Sequence, residues 1–269
     1  MPNYLCMTCG TQFAETEQPP SHCPICEDER QYIGHAGQRW TTLDELCRDH
    51  HTVIREVEPG LTGIGMHPSF AIDQRALLVQ TPGGNILWDC ISVLDQPTIA
   101  AIRALGGIRA IAISHPHYYS SMIEWSRAFD DAPIYIHADD REHVMRPDPA
   151  VTFWQGETYP LWDGISIVRL GGHYAGGQVL HWPAGAEGRG VLLTGDIITV
   201  VSDRRYVSFM YSYPNLIPLP ARKVRHIADT AANYTFDRIY GAWWDRRVLE
   251  DAAAAVQRSA NRYIAALQD

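Results

Sequence analysis

Within its first 26 residues the chain sets four cysteines in two C-x-x-C pairs, Cys6/Cys9 and Cys23/Cys26, with thirteen residues between the pairs. Two tight turns of this kind present four thiolates to one tetrahedral ion. A piece of roughly 35 residues cannot bury enough apolar surface to hold itself together, so the ion would supply its folding free energy. Gly10 after the first pair and Pro24 inside the second suit such turns. Zinc and iron both accept four cysteines, so one Zn or Fe is expected here, most simply as a structural clip. Cys47 and Cys90 stand alone in sequence and read as ordinary buried thiols.

The stretch YLCMTCGTQFAETEQPPSHCPICEDERQYI resembles the short rubredoxin-like domains attached to rubrerythrins and, more loosely, zinc ribbons. A boundary near residue 38 is expected, with a metal-binding unit over 1–38 and a main domain over 39–269. Thr42-Leu43-Asp44-Glu45 has the form of a capping box opening the helix LDELCRDHH. Beyond it, ALLVQT and NILWDC flank Pro82-Gly83-Gly84 as a hairpin, PTIAAIRALGG reads as a helix with a glycine stop, and IRAIAIS as a buried strand. PIYIHA, ISIVRL, QVLHW and GVLLTGD follow as strands, and RKVRHIADTAANY and DAAAAVQRSANRYIAAL as helices. Hairpins mixed with crossovers indicate a layered α/β fold, not a uniform βαβ repeat.

Several function classes are disfavoured by composition. The net charge of -9 carries no lysine/arginine block that could line a phosphate groove, so no nucleic-acid partner is expected. No apolar run reaches the roughly 18 to 20 residues of a membrane helix, and MPNYLCMTCG lacks the order of a secretory signal. A cytoplasmic protein working on a small molecule is the expectation.

Candidate chemistry gathers at strand ends. His115 and His117 follow IRAIAIS with only Pro116 between them, His173 follows ISIVRL in a glycine-rich turn, and Asp196 follows GVLLTG. Polar groups that leave parallel or mixed strands at one edge of a sheet are how α/β scaffolds build sites. Three neutral imidazoles and a carboxylate suit one Zn or Fe with a position left for water.

On these residues the main domain resembles the metallo-β-lactamase fold, a four-layer αββα sandwich shared by glyoxalase II, lactonases and other hydrolases. The family pattern H-x-H-x-D-H is present as His115-Pro116-His117-Tyr118-Tyr119-Ser120, with Tyr119 and Ser120 in place of the aspartate and third histidine. His173 in GGHYAGG matches the later lone histidine, Asp196 the bridging aspartate, and Asp89 in WDC the supporting turn of the second strand. Trp243 stands where the family offers its last histidine. The resemblance therefore implies one metal site kept (His115, His117, His173, Asp196) and a companion site lost.

What the resemblance implies is a hydrolase of an ester, thioester or lactone using a single metal-activated water. Asp196 would complete the metal shell or take the proton, and Tyr118, Tyr119 or Tyr174 would donate to a developing oxyanion. His115, His173 and Asp196 also match the iron ligands of persulfide dioxygenases, so a mononuclear non-haem iron oxidoreductase is the alternative, and a degenerate binding or scaffold protein a third. The aromatic segment RYVSFMYSYPNLIPLP, with Trp243 and Trp244, suits an apolar substrate pocket, core packing or a homo-oligomer surface equally. His67 and Asp245 read as turn and capping residues.

Overall fold

Successive residues of each central strand face opposite layers, and this period of two builds the architecture. The computed structural model describes residues 1–268. In strand Ala76–Val79, Leu77 joins the cluster between the two sheets while Leu78 joins the cluster under the helices; Ile86 and Trp88 divide from Leu87 in the same way. Across the sandwich, Val191 and Leu193 face inward with Tyr240, whereas Leu192 and Ile239 face the other helices.

A seven-stranded sheet runs from His51–Glu58 through Leu61–His67, Ala76–Val79, Ile86–Trp88, Ala110–Ala112 and Ile134–His137 to Val151–Trp154. The helices Gln96–Ala104 and Met122–Ala128 cover its outer face through Ile102, Met122, Ile123 and Trp125. A six-stranded sheet is ordered Thr158–Pro160, Ser166–Arg169, Gln178–Trp182, Val191–Gly195, Arg238–Gly241, Arg247–Val248. Its outer face carries Ala221–Ala231 and Ala252–Ala266. The result is the four-layer αββα sandwich expected from the sequence. Among the described residues no helix is long and apolar enough to cross a membrane.

The capping box forms, with Thr42 and Glu45 each bonded to the other's backbone N–H. The helix it opens ends at Asp49, short of the expected LDELCRDHH: His50 is already extended, and His51 pairs with His67 as the first residue of a strand. That strand and its partner Leu61–His67 carried no clear signal, because LTGIGMH is weak in strand formers. Gly63 and Gly65 are there to admit Trp244, since a Cβ at either would lie 2.7 Å from its indole. Trp244 is thereby occupied in packing, with the guanidinium groups of Arg55 and Arg75 over its ring, while Trp243 turns to the site described below.

At the N-terminus, Tyr4–Cys6 pairs antiparallel with Trp40–Thr42 and closes a small unit whose core is the four cysteines with Phe13 and Ile25. The unit docks on the sandwich through backbone groups: Gln12 N–H donates to Ser120 O at 3.0 Å and Ala14 N–H to Met145 O at 3.1 Å. Ser92 Oγ donates to Gly10 O at 3.1 Å.

Candidate metal centre

The strand Ala110–Ala112 runs on to Ser114, whose N–H donates to the Asp89 carboxylate at 2.7 Å. Burial and the nearby Asp196 carboxylate raise the Asp89 carboxyl to about 8, against the Ser114 hydrogen bonds. Proline then starts a 3-10 turn, Pro116–Tyr118, that swings His117 back beside the extended His115. His173 arrives from the loop after Ser166–Arg169, and Asp196 from the end of Val191–Gly195. Gly195 is required by close approach, because a Cβ there would lie 2.5 Å from Ser114 Oγ.

His115, His117 and His173 each offer a ring nitrogen, and the three lie within 4.8 Å of one another. All are at most 4% exposed, and burial holds each imidazole below its ordinary pKa, His173 down to about 4. They are therefore neutral at pH 7, as metal ligation requires.

The outer nitrogens are already engaged. His115 Nδ1 meets Ser114 Oγ at 3.0 Å, His117 Nε2 meets Tyr174 Oη at 3.0 Å, and His173 Nδ1 donates to Tyr211 O at 2.6 Å. That leaves His115 Nε2, His117 Nδ1 and His173 Nε2 facing inward, the last two 3.2 Å apart. His115 Nε2 has no hydrogen-bond partner and stands 3.3 Å from the equally unpartnered Asp196 Oδ1. Convergent lone pairs with oriented outer nitrogens, beside an orphaned buried carboxylate oxygen, fit a divalent cation. Burial raises the Asp196 carboxyl to about 7, with Tyr118 easing it back.

The four cysteines form the second cluster, with their sulfur atoms also within 4.8 Å of one another and all six cysteines unbridged. Cys6 Sγ lies 3.5 Å from Cys26 Sγ and Cys9 Sγ 3.7 Å from Cys23 Sγ. Gln38 Nε2 and the Thr8 N–H both point at Cys6 Sγ, at 3.0 and 3.4 Å, donors of the kind that favour a thiolate.

Of the expected tyrosines, Tyr174 is committed to His117, and Tyr119 is buried among the helix-layer residues with a hydroxyl that has no partner. The Tyr118 ring packs on His115 at 4.4 Å between centroids, closer than that of Tyr174 at 5.6 Å. Ser120, at the third-histidine position of the pattern, takes a hydrogen bond from Gln74 Nε2 at 2.9 Å, and Trp243 Nε1 donates to Ile72 O at 3.1 Å. Asp245 and His67 are exposed. The aromatic segment divides: Phe209 is core, Tyr206 lies against Arg262, and Tyr213 donates to Asp196 O.

A cavity of about 210 Å³ opens beside His117 and Asp196, walled by Ile72, Tyr213, Trp243 and, from the cysteine unit, Gln31. Among the described residues it has no lysine or arginine in its lining.

Sequence reasoning missed the outer partners Ser114 and Tyr211, the knuckle residue Arg30 and the buried Asp140. Asp140, in the turn Ala138–His143, accepts the Gly176 N–H at 2.7 Å and so fixes the loop that carries His173. Burial pushes its carboxyl up to about 7, against the pull of that N–H and the Arg30 charge. A folded-state pKa above the unfolded value near 3.9 means stabilisation present below about pH 4, declining as pH rises and gone above about 7. An Asp140→Asn variant should therefore gain on the wild type by about 2 to 4 kcal/mol between pH 4 and pH 8. Thermal unfolding at both values checks this, and a difference that does not change with pH would refute it.

No family model matches the sequence. A protein described as "Uncharacterized protein YmaE", from Bacillus subtilis (strain 168), is 55% identical over 269 residues, covering 99% of this chain and 97% of that protein. Among solved structures, VMB-1 at pH 5.5 superposes with a TM-score of 0.60 at 12% identity, over 81% of this chain and 98% of its own. DIM-1 metallo-β-lactamase gives 0.58 at 14% identity, over 80% and 98%. The metallo-β-lactamase FIM-1 from Pseudomonas aeruginosa, in its mono-zinc form, gives 0.56 at 15%, over 79% and 96%. At these identities the likeness is one of fold.

Proposed function

The chain belongs to the family of the uncharacterized protein YmaE of Bacillus subtilis, and we propose that it is a metal-dependent hydrolase that opens an ester, thioester or lactone with a single metal-activated water. The observation that carries this reading is the inward trio His115 Nε2, His117 Nδ1 and His173 Nε2, each ring held from outside, with His117 and the neighbouring Asp196 lining a cavity. A divalent ion bound there supplies Lewis acidity, polarising a carbonyl and bringing the pKa of water to about 7.

The remaining work falls to side chains. Asp196 Oδ1, beside His115 Nε2, would take up the proton given by the attacking water, and a cation held by the histidines would favour its ionised form against the burial that raises it. Tyr174 and Tyr211 fix the rings of His117 and His173 so that no reorientation is needed during reaction. Tyr32, Ile72 and Trp243 exclude water from the acyl portion of a small substrate, and a lining without lysine or arginine suits a neutral one. Six unbridged cysteines suit a reducing, cytoplasmic setting.

We assign one ion to this site. A companion would meet the Ser120 hydroxyl, already bonded to Gln74, and the indole of Trp243, neither of which replaces an imidazole. Metal analysis of purified protein should give two ions per chain, one at the cysteines and one at the histidines, with hydrolysis of short thioesters or lactones that requires the second. Three ions, or none at the histidines, would overturn the assignment. The contact between Asp196 and His115 also favours a second reading, an iron site using two histidines and a carboxylate; O2 consumption by iron-loaded protein with a thiol substrate, without hydrolysis, would select it.

A further inference from the structure

The cysteine unit lends Gln31 and Tyr32 to the cavity wall. Its last turn does more: immediately after Cys26, the residues Asp28 to Arg30 reach across to two of the three histidines. Arg30 is fixed by a two-pronged pair with Asp28, both contacts at 2.6 Å, and Asp28 itself caps the helix Pro24–Glu27 that carries Cys26. From that anchor Arg30 Nη1 donates to His173 O at 3.3 Å, and its guanidinium lies 3.8 Å above the Tyr174 ring whose hydroxyl holds His117. Glu29 accepts from Tyr211 Oη, and Tyr211 O is the acceptor that orients His173. Asn215 Nδ2 bridges Glu29 O and Gln31 O at 2.9 and 3.0 Å, tying the same segment to the loop that ends the cavity.

We propose that Arg30 is a positioning residue and that the four-cysteine unit is a metal-dependent clamp: with an ion at the cysteines, the segment 28–31 holds His117 and His173 in ligating geometry; without it, the histidine site loosens. The inference rests on the histidines binding metal, and not on the reaction catalysed there. Its physics is that of outer-sphere support, where loss of a partner that orients a ligand weakens metal binding by about 10- to 100-fold. A unit this small folds only with its ion, so occupancy at the cysteines is felt at the histidines, and reciprocity requires the converse.

The test uses the full chain with Zn2+ first bound at the cysteines, followed by titration of Co2+ into the histidine site, read from its visible spectrum and by competition with a chelator. Arg30→Ala is expected to lower Co2+ affinity about 10- to 100-fold with the cysteine ion retained, and Arg30→Lys, which keeps charge but not the planar fork, to recover part of it. Arg146→Ala supplies the control, since Arg146 meets Gln12 on another face of the same unit; it should leave Co2+ affinity within about twofold of wild type, below the range that loss of an orienting partner produces. Wild-type Co2+ affinity in Arg30→Ala, or equal losses in Arg30→Ala and Arg146→Ala, would overturn the clamp while leaving the hydrolase reading in place. Absence of Co2+ uptake by the wild-type histidines would overturn both.

Discussion

His173→Ala should leave the ion at the four cysteines in place, lose the other, and reduce hydrolysis by about a thousandfold or more, equivalent to roughly 4 kcal/mol of transition-state stabilisation. The effect is expected to be this large because His173 serves the site twice. Its Nε2 is one of three converging lone pairs, and its Nδ1–H fixes the Tyr211 carbonyl, so removal subtracts a ligand and frees the loop that walls the cavity. His137→Ala is the matched control: His137 is also buried, but its ring bonds Gly156 O and the Asp139 N–H, away from the trio. It should lower stability and leave both ions bound. Element-resolved metal content beside thermal unfolding separates the cases, and a His173→Ala protein that keeps two ions would remove His173 from the ligand set.

How much of this was legible in the sequence follows from the kind of force at each position. Layering was readable because the alternation in LLVQ, ILW and VLLTG is itself what divides one core cluster from the next. The first two strands of the large sheet were not: Gly63 and Gly65 are chosen by the indole of Trp244, which arrives from residue 244, and local propensity carries no record of that. Likewise the trio of histidines announced itself at strand ends, since Pro116 and the glycines around His173 leave a local mark. The partners that orient those rings did not, because Tyr211 contributes only its carbonyl to His173 and a carbonyl is supplied by any residue.

The substitutions at Tyr119 and Ser120 look like losses when read along the chain. In three dimensions Ser120 is a docking point, giving its carbonyl to Gln12 of the cysteine unit and its hydroxyl to Gln74. Gly10 of that unit sits so close that a Cβ would lie 2.7 Å from Ser92 Oγ and 3.8 Å from Ser120 Oγ. Ser120 and Ser92 are thus part of the seat of the N-terminal unit.

Replacing Cys26 by serine is expected to unfold the N-terminal unit without unfolding the sandwich. Four sulfur atoms, Phe13 and Ile25 make up the unit's buried core; Ile72 and Met145 of the sandwich pack against it beside the unit's own Trp40, and Met7 packs in turn on the sandwich. Structural zinc in such units supplies on the order of 10 kcal/mol of folding free energy, far beyond what that core can replace. The three clusters of the sandwich, by contrast, draw their fully buried members from Leu46 onward. Limited proteolysis should therefore cut Cys26→Ser around the exposed residues 35–37 faster than wild type, and leave a fragment with a cooperative thermal transition. A single transition in which fragment and unit melt together at a much lower temperature would mean that the docking contacts at Ser120, Ser92 and Met145 belong to the folding core of the main domain, and that the ion at the cysteines stabilises the whole chain.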